Sequence, residues 1–219
     1  MFDPATLEMI GKGFLESLYM TLVSSALAYL IGLPLGIVLV VTDKDGLKPA
    51  PGVNSVLGVI INLLRSMPFL ILCITVIPLT RLITGTSLGP TATIVPLVIG
   101  AAPFIARMVE SSLKEVDKGV VEAAQSMGAS PFEIIWKVLL PEARPSLILG
   151  AAISVTTILG YSAMTGFVGG GGLGDIAIRY GYYRYQTGIM LVTVALLVII
   201  VQVLQEIGIR LARLGDKRK

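Results

Sequence analysis

From Tyr19 to Val41 the chain reads YMTLVSSALAYLIGLPLGIVLVV, 23 residues without a charge. A helix crossing a hydrocarbon core about 30 Å thick needs about 20 mostly apolar residues. Water offers no stable place for a run of this kind, and the chain repeats it. Further apolar segments cover residues 56–79, 88–109, 146–168 and 187–211. Only 14% of residues are charged and 54% are hydrophobic, whereas soluble domains carry about 25% charged residues. The expectation is an all-α integral membrane protein of five spans. It forms one transmembrane domain over residues 1–219.

The second segment, VLGVIINLLRSMPFLILCITVIPL, is the least regular. Arg65 and Pro68 fall near its middle. Proline removes a backbone donor, so a break or kink is expected. Irregular backbone at membrane depth is tolerated where it packs on protein or lines a cavity. A second reading makes residues 62–65 an interfacial helix, with the span starting later.

Lysine and arginine set orientation, because cytoplasmic loops hold an excess of both. With the N-terminus outside, Lys12, Arg81, Arg179 and Arg184 lie outside, and the other 13 of the 17 Lys and Arg lie inside. That asymmetry predicts an external N-terminus, a cytoplasmic C-terminus and a cytoplasmic loop between the third and fourth spans. The first 13 residues lack the basic start and apolar core of a cleavable signal.

Several chemistries are missing. There is no histidine, which removes histidine metal sites, Ser-His and Cys-His catalysis and histidine proton relays. The one cysteine, Cys73, sits in an apolar run and reads as a small core residue. No Asp or Glu falls between Asp45 and Glu110, nor between Glu142 and Asp175. Ion-coupled carriers normally place ionisable groups inside the membrane, so a stand-alone carrier is a remote alternative. A membrane enzyme ranks lower, for want of a nucleophile-base pair or metal cluster. No GxxxxGK[ST] phosphate loop occurs. GGGGLG, Gly169 to Gly174, matches GxGxxG only formally. It follows a membrane helix where a dinucleotide site needs a strand, and reads as a flexible or tightly packed turn.

The loop at residues 117–141 interrupts this pattern with soluble-looking sequence. Asp117 is a candidate N-cap, and Gly128 suits the position past a helix C-terminus. Ser130, Pro131 and Glu133 form a capping box with proline at its favoured place. The second helix is expected to stop at Pro141. Phe132, Ile135, Trp136 and Leu139 then fall on one stripe, which needs burial against the chain's own spans, a partner, or both.

Glu122-Ala123-Ala124, three residues, Gly128, nine residues, then Val138-Leu139-Leu140-Pro141 resembles the E-A-A-x(3)-G-x(9)-I-x-L-P signature of ABC-importer inner-membrane permeases. Only the Ile position departs, to Val138. RSMPFLIL, PLVIGAAPFIARMVE, LGYSAMTGFVGGGGLGD and RYGYYRYQ look like the branch that imports methionine. The resemblance covers essentially the whole chain. It implies a homodimer in a bacterial inner membrane, passing an amino acid, D- or L-methionine first and another small amino acid or polar nutrient as the alternative. It further implies two partner ATPase subunits that hold ATP and Mg, docked at the loop, and an external binding lipoprotein. No cofactor on this chain and no nucleic-acid partner are expected; membrane lipid is.

On that reading Glu122 orients the loop or meets a basic group of the ATPase, against a plain solvated charge. Ala123, Ala124 and Gly128 permit close approach, Phe132 belongs to the contact stripe, and Leu140-Pro141 end the loop. Met67, Pro68, Tyr161, Ser162 and Met164 are the candidates for the pathway or its gate. Ordinary helix packing competes for each. Arg179, Arg184 and Tyr180, Tyr182, Tyr183 and Tyr185 form an outer belt, for interfacial anchoring or for docking the binding protein.

Overall fold

The structure, a computed structural model, describes residues 3–215, and these are helical with no strand. Met1, Phe2 and residues 216–219 lie outside it, and with them the basic residues Lys217, Arg218 and Lys219.

The first helix, α1, runs from Pro4 to Val41. It begins 15 residues before the apolar run, because Asp3 caps it by accepting from the Thr6 amide and Pro4 opens it. Its length, about 57 Å at 1.5 Å per residue, exceeds a hydrocarbon core, and Glu8, Lys12 and Glu16 lie in the surplus turns. Asn54 anchors the turn after α1 by donating to Leu39 O and Thr42 Oγ1, at 2.7 and 3.1 Å.

The second apolar segment is broken where proline requires it. Helix α2, Pro51–Ser66, ends at Met67 and Pro68, both extended, and α3, Phe69–Thr75, leaves at 103° to it. Proline disfavours helical backbone in the residue before it, so the interruption falls at Met67. Helix α4, Ile77–Thr84, follows and ends on left-handed Gly85.

Helix α5, Pro90–Lys114, is the central element. It packs along α1 through small residues: a Cβ on Gly32 would sit 2.8 Å from Ala102 O, and one on Gly36 would sit 2.6 Å from Ala106 O. Lipid supplies no hydrophobic drive between helices, so close backbone approach at small residues is what holds such a pair. Beyond α5 lie α6, Lys118–Ser126, and α7, Pro131–Ile134. A wide π turn, Ile135–Leu139, and α8, Leu140–Glu142, lead into α9, Arg144–Met164. After α9 come a 3₁₀ turn, Thr165–Val168, α10, Gly172–Ile176, a second π turn, Ala177–Tyr182, and α11, Thr187–Gly215.

Among the described residues four helices are long and apolar enough to cross a membrane, five if α2 and α3 count as one bent span. The expected end at Pro141 is corrected: helical backbone continues through it. Leu140 N–H bonds Ile135 O, five residues back. The wider turn relieves the clash between the proline ring and the carbonyl four residues earlier.

GGGGLG is a packed turn. Gly169, Gly171 and Gly172 take positive φ of 76, 82 and 76°, backbone open to glycine at little cost. Glu16 accepts from Gly172 N–H and Ser17 Oγ from Leu173 N–H, both at 2.9 Å. Gly169 O accepts from Gly89 N–H at 2.9 Å. Three segments distant in sequence are thus tied at this end.

Candidate functional site

Two features carry the candidate residues, a rigid loop at one end of the bundle and a cavity at the broken helix.

The loop is built by capping. Asp117 accepts from Gly119 N–H at 2.7 Å and starts α6. Gly128, at φ 81°, closes it. Gly128 N–H donates to Gln125 O at 2.9 Å, and Ala129 N–H to Ala124 O at 3.1 Å, the paired bonds of a Schellman end. Ser130 and Glu133 then form the complete capping box. Lys137 donates to Glu133 Oε1 at 2.9 Å. That bond first, and those from Ser130 after it, hold the Glu133 carboxyl down at about 2. A charged carboxylate at a helix start is also favoured by the helix dipole.

Ala124, Ile134 and Leu139 are buried in the main core with Leu113 and Val116. This clamps the loop to the bundle. The apolar stripe is therefore split. Leu139 is buried and Ile135 partly so, while Phe132 and Trp136 stand 68% and 56% exposed, their rings 6.0 Å apart. Met127, beside the elbow, is 82% exposed. Glu122, Ala123 and Gly128 are exposed too, Leu140 half-buried and Pro141 exposed. One short segment thus brings together every residue assigned to coupling. Ala124 is the one that faces inward.

Beside α6 lies a groove of about 410 Å³, walled by Glu122, Gln125 and Lys118, by Lys114 at the end of α5, and by Asp43, Asp45 and Leu47 of the α1–α2 turn. Asp43 pairs with Lys114 at 2.7 Å, and that bond holds its carboxyl below the usual value. No local pattern announces this wall, since its two halves lie some seventy residues apart.

The cavity, about 160 Å³, is lined by Leu64, Arg65, Met67, Phe69, Leu72, Gly100, Phe104 and Tyr161. Phe69 and Tyr161 stack face to face, with centroids 4.3 Å apart and planes 6° from parallel. Met67 and Tyr161 therefore share one space, and Pro68 makes the bend beside it. Ser162 and Met164 do not join them. Ser162 is buried and bonds Leu159 O at 2.7 Å, while Met164 is 43% exposed elsewhere on α9. The neighbouring hydroxyls of Ser154, Thr156, Thr157 and Thr165 likewise bond carbonyls of their own helical segment. Phe69 and Gly100 were not legible as cavity residues; aromatic and small side chains in apolar runs read first as packing.

At the glycine-turn end, Asp175 is buried and paired with Arg179 at 3.0 Å. Burial raises its carboxyl above the ordinary value, with Arg179 opposing and Glu16 adding to the rise. Arg184 lies over the Tyr180 ring at 4.7 Å, and Tyr182, Tyr183 and Tyr185 are exposed. Among the described residues no cluster of His, Cys, Asp and Glu could hold a metal ion.

Comparison with known proteins agrees with this architecture. A probable D-methionine transport system permease protein of Vibrio cholerae is 53% identical over 203 residues, covering 93% of this chain and 90% of that protein. The methionine import system permease protein of Bacillus subtilis is 46% identical over 180 residues, covering 82% and 81%. A solved inward-facing methionine ABC transporter has a chain that superposes with a TM-score of 0.97 at 45% identity, covering 99% of this chain and 100% of its own. An amino acid ABC transporter at 20% identity shares the fold, with a TM-score of 0.72. Residues 28–218 match the family described as the inner membrane component of binding-protein-dependent transport systems. The chain belongs to that family.

Proposed function

We propose that this chain is the membrane-spanning permease subunit of an ABC importer, and that as a homodimer it forms the pathway for an amino acid, methionine. One observation carries the reading. The loop from Lys118 to Leu139 is locked by caps and by Ala124, Ile134 and Leu139, yet it leaves Met127, Phe132 and Trp136 bare. Large apolar side chains on an ordered, capped element mark a surface for a partner protein. The names of the relatives and of the matched transporter supply the substrate and the motor.

On this reading the chain is one permease domain of five spans in a bacterial inner membrane, α2 and α3 forming the bent one. The N-terminus is external and the C-terminus cytoplasmic, by the distribution of Lys and Arg. Each copy docks one ATPase subunit, which holds ATP and Mg, and a binding protein delivers substrate outside. Closure of the ATPases moves the two loops, and because each loop is clamped to its own core, the permease halves rock as units. Met67, Pro68 and Tyr161 line the route at the bend. Ser162 and Met164 remain pathway candidates that a change of conformation would have to bring in. Arg179, Arg184 and the tyrosines near them anchor the outer interface.

The test is uptake of labelled methionine into liposomes holding this chain, its ATPase partner and its binding protein. Uptake is expected to require ATP and to be outcompeted by unlabelled methionine. Uptake by this chain alone, driven by an ion gradient, would sink the reading.

A further inference from the structure

A connected set of charges lies outside both the loop and the cavity. Arg107, two turns before the end of α5, donates from Nη1 to Glu110 Oε2 at 2.6 Å. Its Nη2 donates to Gly58 O at 3.2 Å and to Asn62 Oδ1 at 3.0 Å, both on α2. The second oxygen of Glu110 accepts from Lys114 Nζ at 2.9 Å, and Lys114 also meets Asp43 at 2.7 Å. One chain of contacts thus runs from the α1–α2 turn, across α5, onto the middle of α2.

Most exposed ion pairs contribute little. This one differs in two ways. The Glu110 side chain is only 13% exposed and is bonded through both oxygens, so neither partner is free to wander. Moreover α2 has few other anchors: Asn54 holds its first turn to Leu39 O and Thr42 Oγ1, and Leu57 and Leu64 are only partly buried. Ile61 is its one buried residue, packed with Leu39 and Ala106. The guanidinium fork is what lets a single side chain hold Glu110 on α5 and two acceptors on α2.

The two ends of the chain matter. Lys114 and Asp43 wall the groove beside α6. Leu64 and Arg65, in the last turn of α2, line the cavity with Met67. We propose that Arg107, oriented by Glu110 and Lys114, is a positioning residue for transport: it fixes α2 to α5, so that movement of the docking end reaches the bend at Met67–Pro68. The proposal rests on the importer reading above.

Asn62→Ala tests it in the assembled complex in liposomes. The substitution removes an exposed acceptor and leaves the core intact. Methionine moved per ATP hydrolysed is expected to fall about tenfold, the loss of a hydrogen bond to a charged group, with complex yield unchanged. Arg107→Lys keeps a charge for Glu110 and loses the fork, so it should show the same fall. The double variant should be no worse than either single one, because both act through one contact. An unchanged ratio in both single variants overturns the proposal, as does a loss of uptake that only tracks a loss of complex. Absence of ATP-dependent uptake in the unsubstituted complex would instead overturn the importer reading itself.

Discussion

Gly128 holds φ 81° with open space within this chain where a Cβ would go, so for the isolated chain a substitution there probes backbone conformation alone. Gly128→Ala is expected to cost about 1 kcal/mol at the elbow and to weaken retention of the ATPase. Retention during affinity purification, compared at equal expression, checks it. Glu133 gives a pH signature. Its folded value, about 2, lies below the ordinary 4.5, so its contribution is full above about 4.5 and is lost as pH falls through about 2. Protection of the Ser130 and Glu133 amides against exchange should therefore weaken progressively as pH falls from about 4.5 towards about 2. In Glu133→Gln that dependence should vanish.

At the scale of elements, the α1–α5 pair is held by close approach, and glycine is what permits it. A Cβ at Gly36 would sit 2.6 Å from a backbone carbonyl and 2.6 Å from Val109 Cβ. Gly36→Ala should destabilise the chain by about 1–3 kcal/mol, since neither neighbour can step aside. Gly160 is the control. It is helical and exposed, with nothing within 4 Å of a Cβ, and Gly160→Ala should be neutral or stabilising by up to about 1 kcal/mol. Thermal unfolding in one detergent compares the two. The loop helices follow a different logic: their ends are set by caps, but the π turn exists because Pro141 must be accommodated inside a continuing helix.

At the scale of the whole molecule, what stays exposed is as informative as what is buried. Phe132 and Trp136 touch little of this chain, so Phe132→Ala with Trp136→Ala should leave its thermal midpoint unchanged. Aromatic anchors at an interface are worth about 2 kcal/mol or more each, so the ATPase affinity of that double variant should fall by two orders of magnitude or more. Titration of purified ATPase onto the permease in nanodiscs measures it. A matched drop in the stability of the isolated chain would show instead that the two rings hold the fold.

Apolar runs longer than a soluble helix determined by themselves that this chain is a bundle of membrane-crossing helices, because hydrocarbon demands internal backbone pairing over a fixed length. Local rules were equally decisive for Asp117, Gly128, Ser130 and Glu133, whose caps depend on neighbours three or four residues away, and for the break at Pro68. The spacing from Glu122 to Pro141 carried the family. Only the tertiary structure decided which face of the loop is covered. Ile134 faces the core while Phe132 and Trp136 face out, and one helical stripe is compatible with either arrangement. Likewise, Phe69 stacks on Tyr161, Glu16 and Ser17 hold the glycine turn, and Arg107 bridges to Asn62. Such partners lie 45 to 156 residues apart, and no local periodicity encodes a contact that exists only once the helices have packed.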